Sequence, residues 1–163
     1  MKKGKVLIIR SVSIQLLDKL LPIITKKFGN SVDYLLLTHS HSVKRVKKYR
    51  NIDKIIEYKK KGDFNIFSIP KEIKKMFFDY ILIPVSNFSG AGFLNVLIMT
   101  LLLRTKNIYI INSKGEIKKI SKGKILIKSF FSFIYAIISV FLTILLLPFV
   151  FMFLFVNLVF YRE

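Results

Sequence analysis

From Ser129 to Tyr161 the chain runs for 33 residues without one charged side chain. A segment of that length and polarity belongs in lipid. As one straight helix its 33 residues would reach about 50 Å, against a hydrocarbon core of about 30 Å. Two complete spans would need about 40 residues and a turn. The tail is therefore longer than one simple span and shorter than two. Pro148 divides it into stretches of 19 and 13 residues. Two readings follow: one helix that tilts and kinks at the proline, or a re-entrant hairpin that does not cross. Lys122, Lys124 and Lys128 place the N-terminal side of the tail in the cytoplasm by the positive-inside rule. Ser132, Ser139, Thr143 and Asn157 suit pairing with other helices, though single anchors carry such residues too.

With the tail set aside, charge dominates. Residues 1–120 hold 24 of the 28 Lys and Arg but only 8 of the 9 Asp and Glu. A domain with that excess is drawn to polyanions, either nucleic acid or the anionic cytoplasmic leaflet. Lys-rich coding bias is the bland alternative, since charge speaks to partners and not to fold. The apolar tail favours the leaflet and makes nucleic acid the lesser partner. Cysteine is absent, which removes disulfides, thiolate metal sites and cysteine nucleophiles. The start, "MKKGK", leads into too few apolar residues before Arg10 for a signal peptide.

Short apolar runs alternate with helical patterns along residues 1–120. Val6–Ile9 reads as a buried strand. Ile14, Leu17, Leu21, Ile24 and Phe28 then mark one face of an amphipathic helix, closed by Gly29-Asn30. Val32–Leu37 is a second strand, Val43–Tyr49 a short basic helix, and Lys54–Tyr58 a third strand. "KKKGD" (59–63) reads as a solvated turn. Ser68 and Pro70 mark a helix start, with Ile69, Ile73, Met76 and Phe77 as its apolar face. Asp79–Val85 is a fourth strand, Phe93–Leu103 a helix and Ile108–Ile111 a fifth strand. Ser113–Lys128 reads as a basic juxtamembrane linker. Such alternation predicts an α/β domain with a parallel sheet of about five strands and helices on both faces. The division is 1–120 for the domain, 121–128 for the linker and 129–161 for the membrane segment.

Ligand sites in such sheets lie beyond the carboxyl ends of the strands. "THSHS" puts His39 and His41 at one such end. Two histidines at i, i+2 give two metal ligands, but no nearby acid or cysteine completes a set, so no metal is expected. Phosphate binding by these histidines with Lys44 and Arg45 competes with a plain solvated loop. "SNFSGAGF" puts Ser89, Gly90 and Gly92 where a strand turns into a helix, a geometry that suits an anion. The third glycine of a dinucleotide fingerprint and a P-loop lysine are both missing, and no cofactor is implied. The basic run "VKRVKKYR" suits phosphates or lipid headgroups, or is simply a solvated face. There are no paired carboxylates and no Ser-His-Asp order; Asp18 is the acid nearest the first crevice.

The opening, "KVLIIRSVSIQLLDKLLPIITKKFGN", resembles that of the family 9 glycosyltransferases, the heptosyltransferase-like enzymes. Arg10, Ser11, Ser13 and the pair Leu21-Pro22 match its basic strand end, Ser/Thr-rich turn and Leu-Pro helix. "VDYLLLTHS", "YRNIDKIIEY" and "FFDYILIPVSNFSGAGFLNVLIMTLLLRTKNIYII" are similar to its later strands and loop. The resemblance covers roughly residues 4–120. It implies a Rossmann-like sheet, the acceptor-side half of a GT-B fold. The family's Gly-Asp pair, whose acid is the general base, falls on Gln15 and Leu16. Neither can take a proton from an acceptor hydroxyl. No catalytic residue is therefore expected.

The expectation is a membrane-anchored, acceptor-side half of a glycosyltransferase, inactive alone, with its domain facing the cytoplasm. A polyprenyl-phosphate acceptor and a donor-binding glycosyltransferase subunit would be its partners. Candidate acceptor or phosphate contacts are Arg10, Ser11, Ser13, His39, His41, Lys44, Arg45, Ser89, Gly90 and Gly92. A non-catalytic membrane scaffold on a degenerate glycosyltransferase fold is the alternative.

Overall fold

The computed structural model describes residues 3–86 and 92–160. The chain forms β1 (Gly4–Ile9), α1 (Ile14–Phe28), β2 (Val32–His39), α2 (Ser40–Val46), β3 (Lys54–Tyr58) and a 3-10 turn (Ile66–Ser68). It continues with α3 (Lys71–Lys75), β4 (Phe77–Pro84), α4 (Leu94–Leu101), β5 (Arg104–Ile111), β6 (Ile117–Ile120) and α5 (Lys122–Phe160). Two compact units result, Met1–Leu126 and Ile127–Glu163.

In the first unit the six strands make one sheet in the order β3-β2-β1-β4-β5-β6. β1 to β5 pair in parallel, and β6 returns antiparallel to β5. This is the expected α/β, Rossmann-like arrangement with one more strand. The central strands read as continuous apolar runs because both faces of the sheet are covered. On one face Leu17, Leu20, Leu21 and Ile24 of α1 pack with Val46 of α2 on Val6, Ile8, Leu36 and Leu82. On the other, Ile73 of α3, Val96, Leu97 and Met99 of α4, and Ile125 of α5 pack on Leu7, Ile9, Ile81 and Ile83.

α1 forms where the 3.6-residue period predicts it. Ser13 caps it by accepting the Leu16 N–H at 3.3 Å. Gly29 ends it at φ 77°, with its N–H on the Thr25 carbonyl at 2.9 Å. Elsewhere the boundaries move. α2 starts at Ser40, directly after β2, not at Val43, because Ser42 and Val46 supply its buried side. α3 is a single turn preceded by Pro70, while Ser68 closes the 3-10 turn before it. Phe77 leaves the predicted helix face and opens β4, 50% exposed.

The largest departure is in 113–128, expected as a linker. Ile117–Ile120 is β6, and α5 already begins at Lys122. Asn112 builds the reversal: its side-chain oxygen accepts the Lys114 and Glu116 N–H groups, and its amide donates to the Glu116 carboxylate at 2.7 Å. Gly115 takes φ 84° there. Ile117 and Ile120 then pack against opposite faces of the sheet, and Lys118 and Lys119 blunt the new edge.

The second unit is the remainder of α5. The helix is continuous through Pro148, so the hairpin reading does not hold in this structure. Over Lys122–Leu158 its most apolar stretch has mean hydropathy 2.8. It is long and apolar enough to cross a membrane.

Candidate anion-binding site

β1 and β4 are neighbours from which the chain winds to opposite sides, so a crevice opens between their carboxyl ends. Ser11 sits in it and donates its hydroxyl to the Pro84 carbonyl, tying the two strand ends together. A cavity of about 660 Å³ lies over this point, lined by residues that follow β1, β2, β3 and the β4–α4 connection. Of the sequence candidates, Arg10, Ser11, His39, His41 and Gly92 line it.

Arg10 is 8% exposed. Its Nε donates to Thr38 Oγ1 at 2.7 Å, Nη1 to the Val12 carbonyl at 2.9 Å and Nη2 to Ser42 Oγ at 2.9 Å. All three acceptors are neutral. Among the described residues no carboxylate forms an ion pair with it. A guanidinium out of water normally finds a counter-charge, because desolvating one ion costs several kcal/mol. Burial accordingly pulls its pKa below the usual value, though arginine remains protonated. The result is a fixed cation, held in plane by three hydrogen bonds at the cavity wall.

His39 ends β2, and its Nε2 lies 2.8 Å from the Gly62 carbonyl. Its ring packs 4.3 Å from Phe64, 5.2 Å from Tyr58 and 5.6 Å from His41, centroid to centroid. Burial lowers its pKa, and the charges of Arg10 and His41 act in the same direction. The Gly62 contact opposes them. An anion in the cavity would favour the imidazolium.

The remaining candidates separate. Ser13 faces out as the helix cap and does not line the cavity. Lys44 and Arg45 lie on the exposed side of α2, also away from it. Ser89 and Gly90 lie outside the described residues. Gly92 is within them at φ 80°, with open space where a Cβ would stand. The "KKKGD" segment is more than a solvated turn. Lys59, Lys60 and Lys61 border the cavity, followed by Gly62 and Asp63. The reading along the chain missed them because a lysine turn looks the same wherever it falls. Asp63 is also an acid nearer this crevice than Asp18, which instead pairs with Lys48 at 3.4 Å. Gln15 is exposed, and Leu16 packs against the α1 core.

The lining thus carries Arg10, three lysines and two histidines against one carboxylate. Such a concave, cationic wall focuses potential on an anion. Comparison with protein-family models, curated proteins and solved structures finds no match to this chain.

Proposed function

We propose that this chain is the acceptor-side half of a membrane-attached glycosyltransferase, holding a phosphate-bearing acceptor in the cavity over β1 and β4. The observation that carries the reading is Arg10, a buried guanidinium whose partners among the described residues are all neutral. A phosphate seated beside it would supply the missing charge through further N–H groups of the same fork. The sheet order and the Arg-Ser turn fit the family 9 resemblance.

Where that family has its base, this chain has Gln15 and Leu16. The role left to it is to bind and present, with a separate donor-binding subunit completing the reaction. The tail attaches it to the bilayer. Lys122, Lys124 and Lys128 set the first unit on the cytoplasmic side.

The test is a mild-detergent purification of the full chain. Bound proteins are identified, and transfer from labelled nucleotide-sugars is assayed onto polyprenyl-phosphate and onto water-soluble sugar phosphates. A co-purifying donor-binding subunit with transfer onto either acceptor supports the reading, and the active arm tells the two sources apart. Neither partner nor transfer would overturn it. A scaffold on a degenerate fold is favoured by one fact, that Arg10 already spends three donors on its own chain. On that reading changes at Arg10, His39 or Gly92 leave function intact.

A further inference from the structure

The first unit also carries an apolar, cationic surface at the end of the sheet opposite the cavity. β4 begins at Phe77 and β5 at Arg104, which are register partners. Phe77 is 50% exposed there, and Leu102, two residues before Arg104, is 53% exposed. Lysines flank Phe77 along the chain at Lys74 and Lys75, and Lys106 Nζ lies 5.7 Å from its ring centroid. Acids stand at this end among the cations: Asp79 pairs with Lys106 at 3.1 Å and accepts the Lys5 N–H at 3.0 Å, and Asp33, the register partner of Lys5, pairs with Lys3 at 3.9 Å.

The chain leaves the first unit at this same end. Lys122 donates to the Leu103 carbonyl at 3.1 Å, and Ile125 is fully buried in the core beside α4. From there α5 runs on with the length and hydropathy of a membrane span. Exposed phenylalanine and leucine among cations are the composition of an interfacial contact, with apolar groups in the acyl boundary and ammonium groups among anionic phosphates.

We infer that the sheet end bearing Phe77 and Leu102 is a lipid-contact surface that seats the first unit on an anionic bilayer. This does not depend on glycosyl transfer. Charge complementarity and continuity with the exit into α5 select lipid as the occupant.

The sequence contains no tryptophan, so F77W places a single indole on the surface. The full-length variant goes into nanodiscs of phosphatidylcholine and phosphatidylglycerol, with or without bromine near the headgroup end of the acyl chains. L102W is the second reporter, should F77W fold poorly. F67W is the reference, because Phe67 is 87% exposed, belongs to the 3-10 turn between β3 and α3, and does not share the lining that Phe77 forms with Lys3, Lys5 and Asp79. The inference expects blue-shifted emission and bromine quenching for F77W and L102W, with neither for F67W. Emission as in water, without quenching, overturns it. So does quenching of F67W to the same degree. A blue shift without quenching would report a protein on the surface, such as a second copy, and would overturn it as well.

Discussion

Arg10 is where residue chemistry and function meet. R10K keeps the charge but loses the planar fork that reaches Thr38, Val12 and Ser42 together. Orphaning buried hydroxyls costs about 1–3 kcal/mol, so R10K in detergent should unfold at lower temperature than the parent chain. On the proposed phosphate site, pyrophosphate should stabilise the parent chain and not R10K, a difference read by thermal melts with and without the ligand. His39 adds a pH signature. Its folded pKa lies below the ordinary 6.5, so the unfolded chain binds the proton more tightly. Its contribution is complete above that ordinary value and is lost as pH falls toward the folded pKa. H39F should flatten the stability slope below about pH 6.5. Phosphate should move the His39 titration upward, which NMR can follow because the chain has only 2 histidines. The sequence showed Arg10 and the histidines as candidates because strand ends are legible. It could not show that Arg10 has no carboxylate partner among the described residues, since that depends on which side chains four separate segments bring to one place.

At the level of elements, the N-terminal helix was readable and the last strand was not. α1 has a cap, an apolar face and a glycine stop, all local signals. S13A removes a cap contact that is exposed and 3.3 Å long, and a loss near the low end of the usual range, about 0.5–1 kcal/mol, is expected by thermal melt. β6 has four residues, two of them lysine, too short for an alternating pattern to register. Its existence depends on the Asn112–Glu116 turn and on an open edge at β5. Gly115 sits in that turn at φ 84°, where an added Cβ would fall 2.5 Å from Ile23 Cδ1. G115A should cost about 1–2 kcal/mol from the left-handed backbone alone. Hydrogen exchange should localise the loosening to 112–120.

Across the whole molecule, two ends of one sheet carry different chemistry. The cavity lies at the carboxyl ends of the strands, and the chain exits beside their starts. A strand such as β1, with 6 residues, separates them by about 20 Å. If the exit end rests on lipid, the proposed phosphate-bearing ligand would reach the cavity on an arm of about that length or from solution. Deleting residues 129–161 should move the chain from the membrane pellet to the supernatant in high salt, where surface attraction is screened. At low salt the cationic first unit should still sediment with phosphatidylglycerol vesicles. The sequence by itself determined the apolar helix, the excess of cations and the α/β alternation, because each depends on composition or on a short period along the chain. Only the tertiary structure decided that a lysine turn borders a cavity, that β6 covers the β5 edge, and that Arg10 is buried without a counter-ion among the described residues. These depend on contacts between segments far apart in sequence, and no local pattern encodes which neighbours folding will bring together.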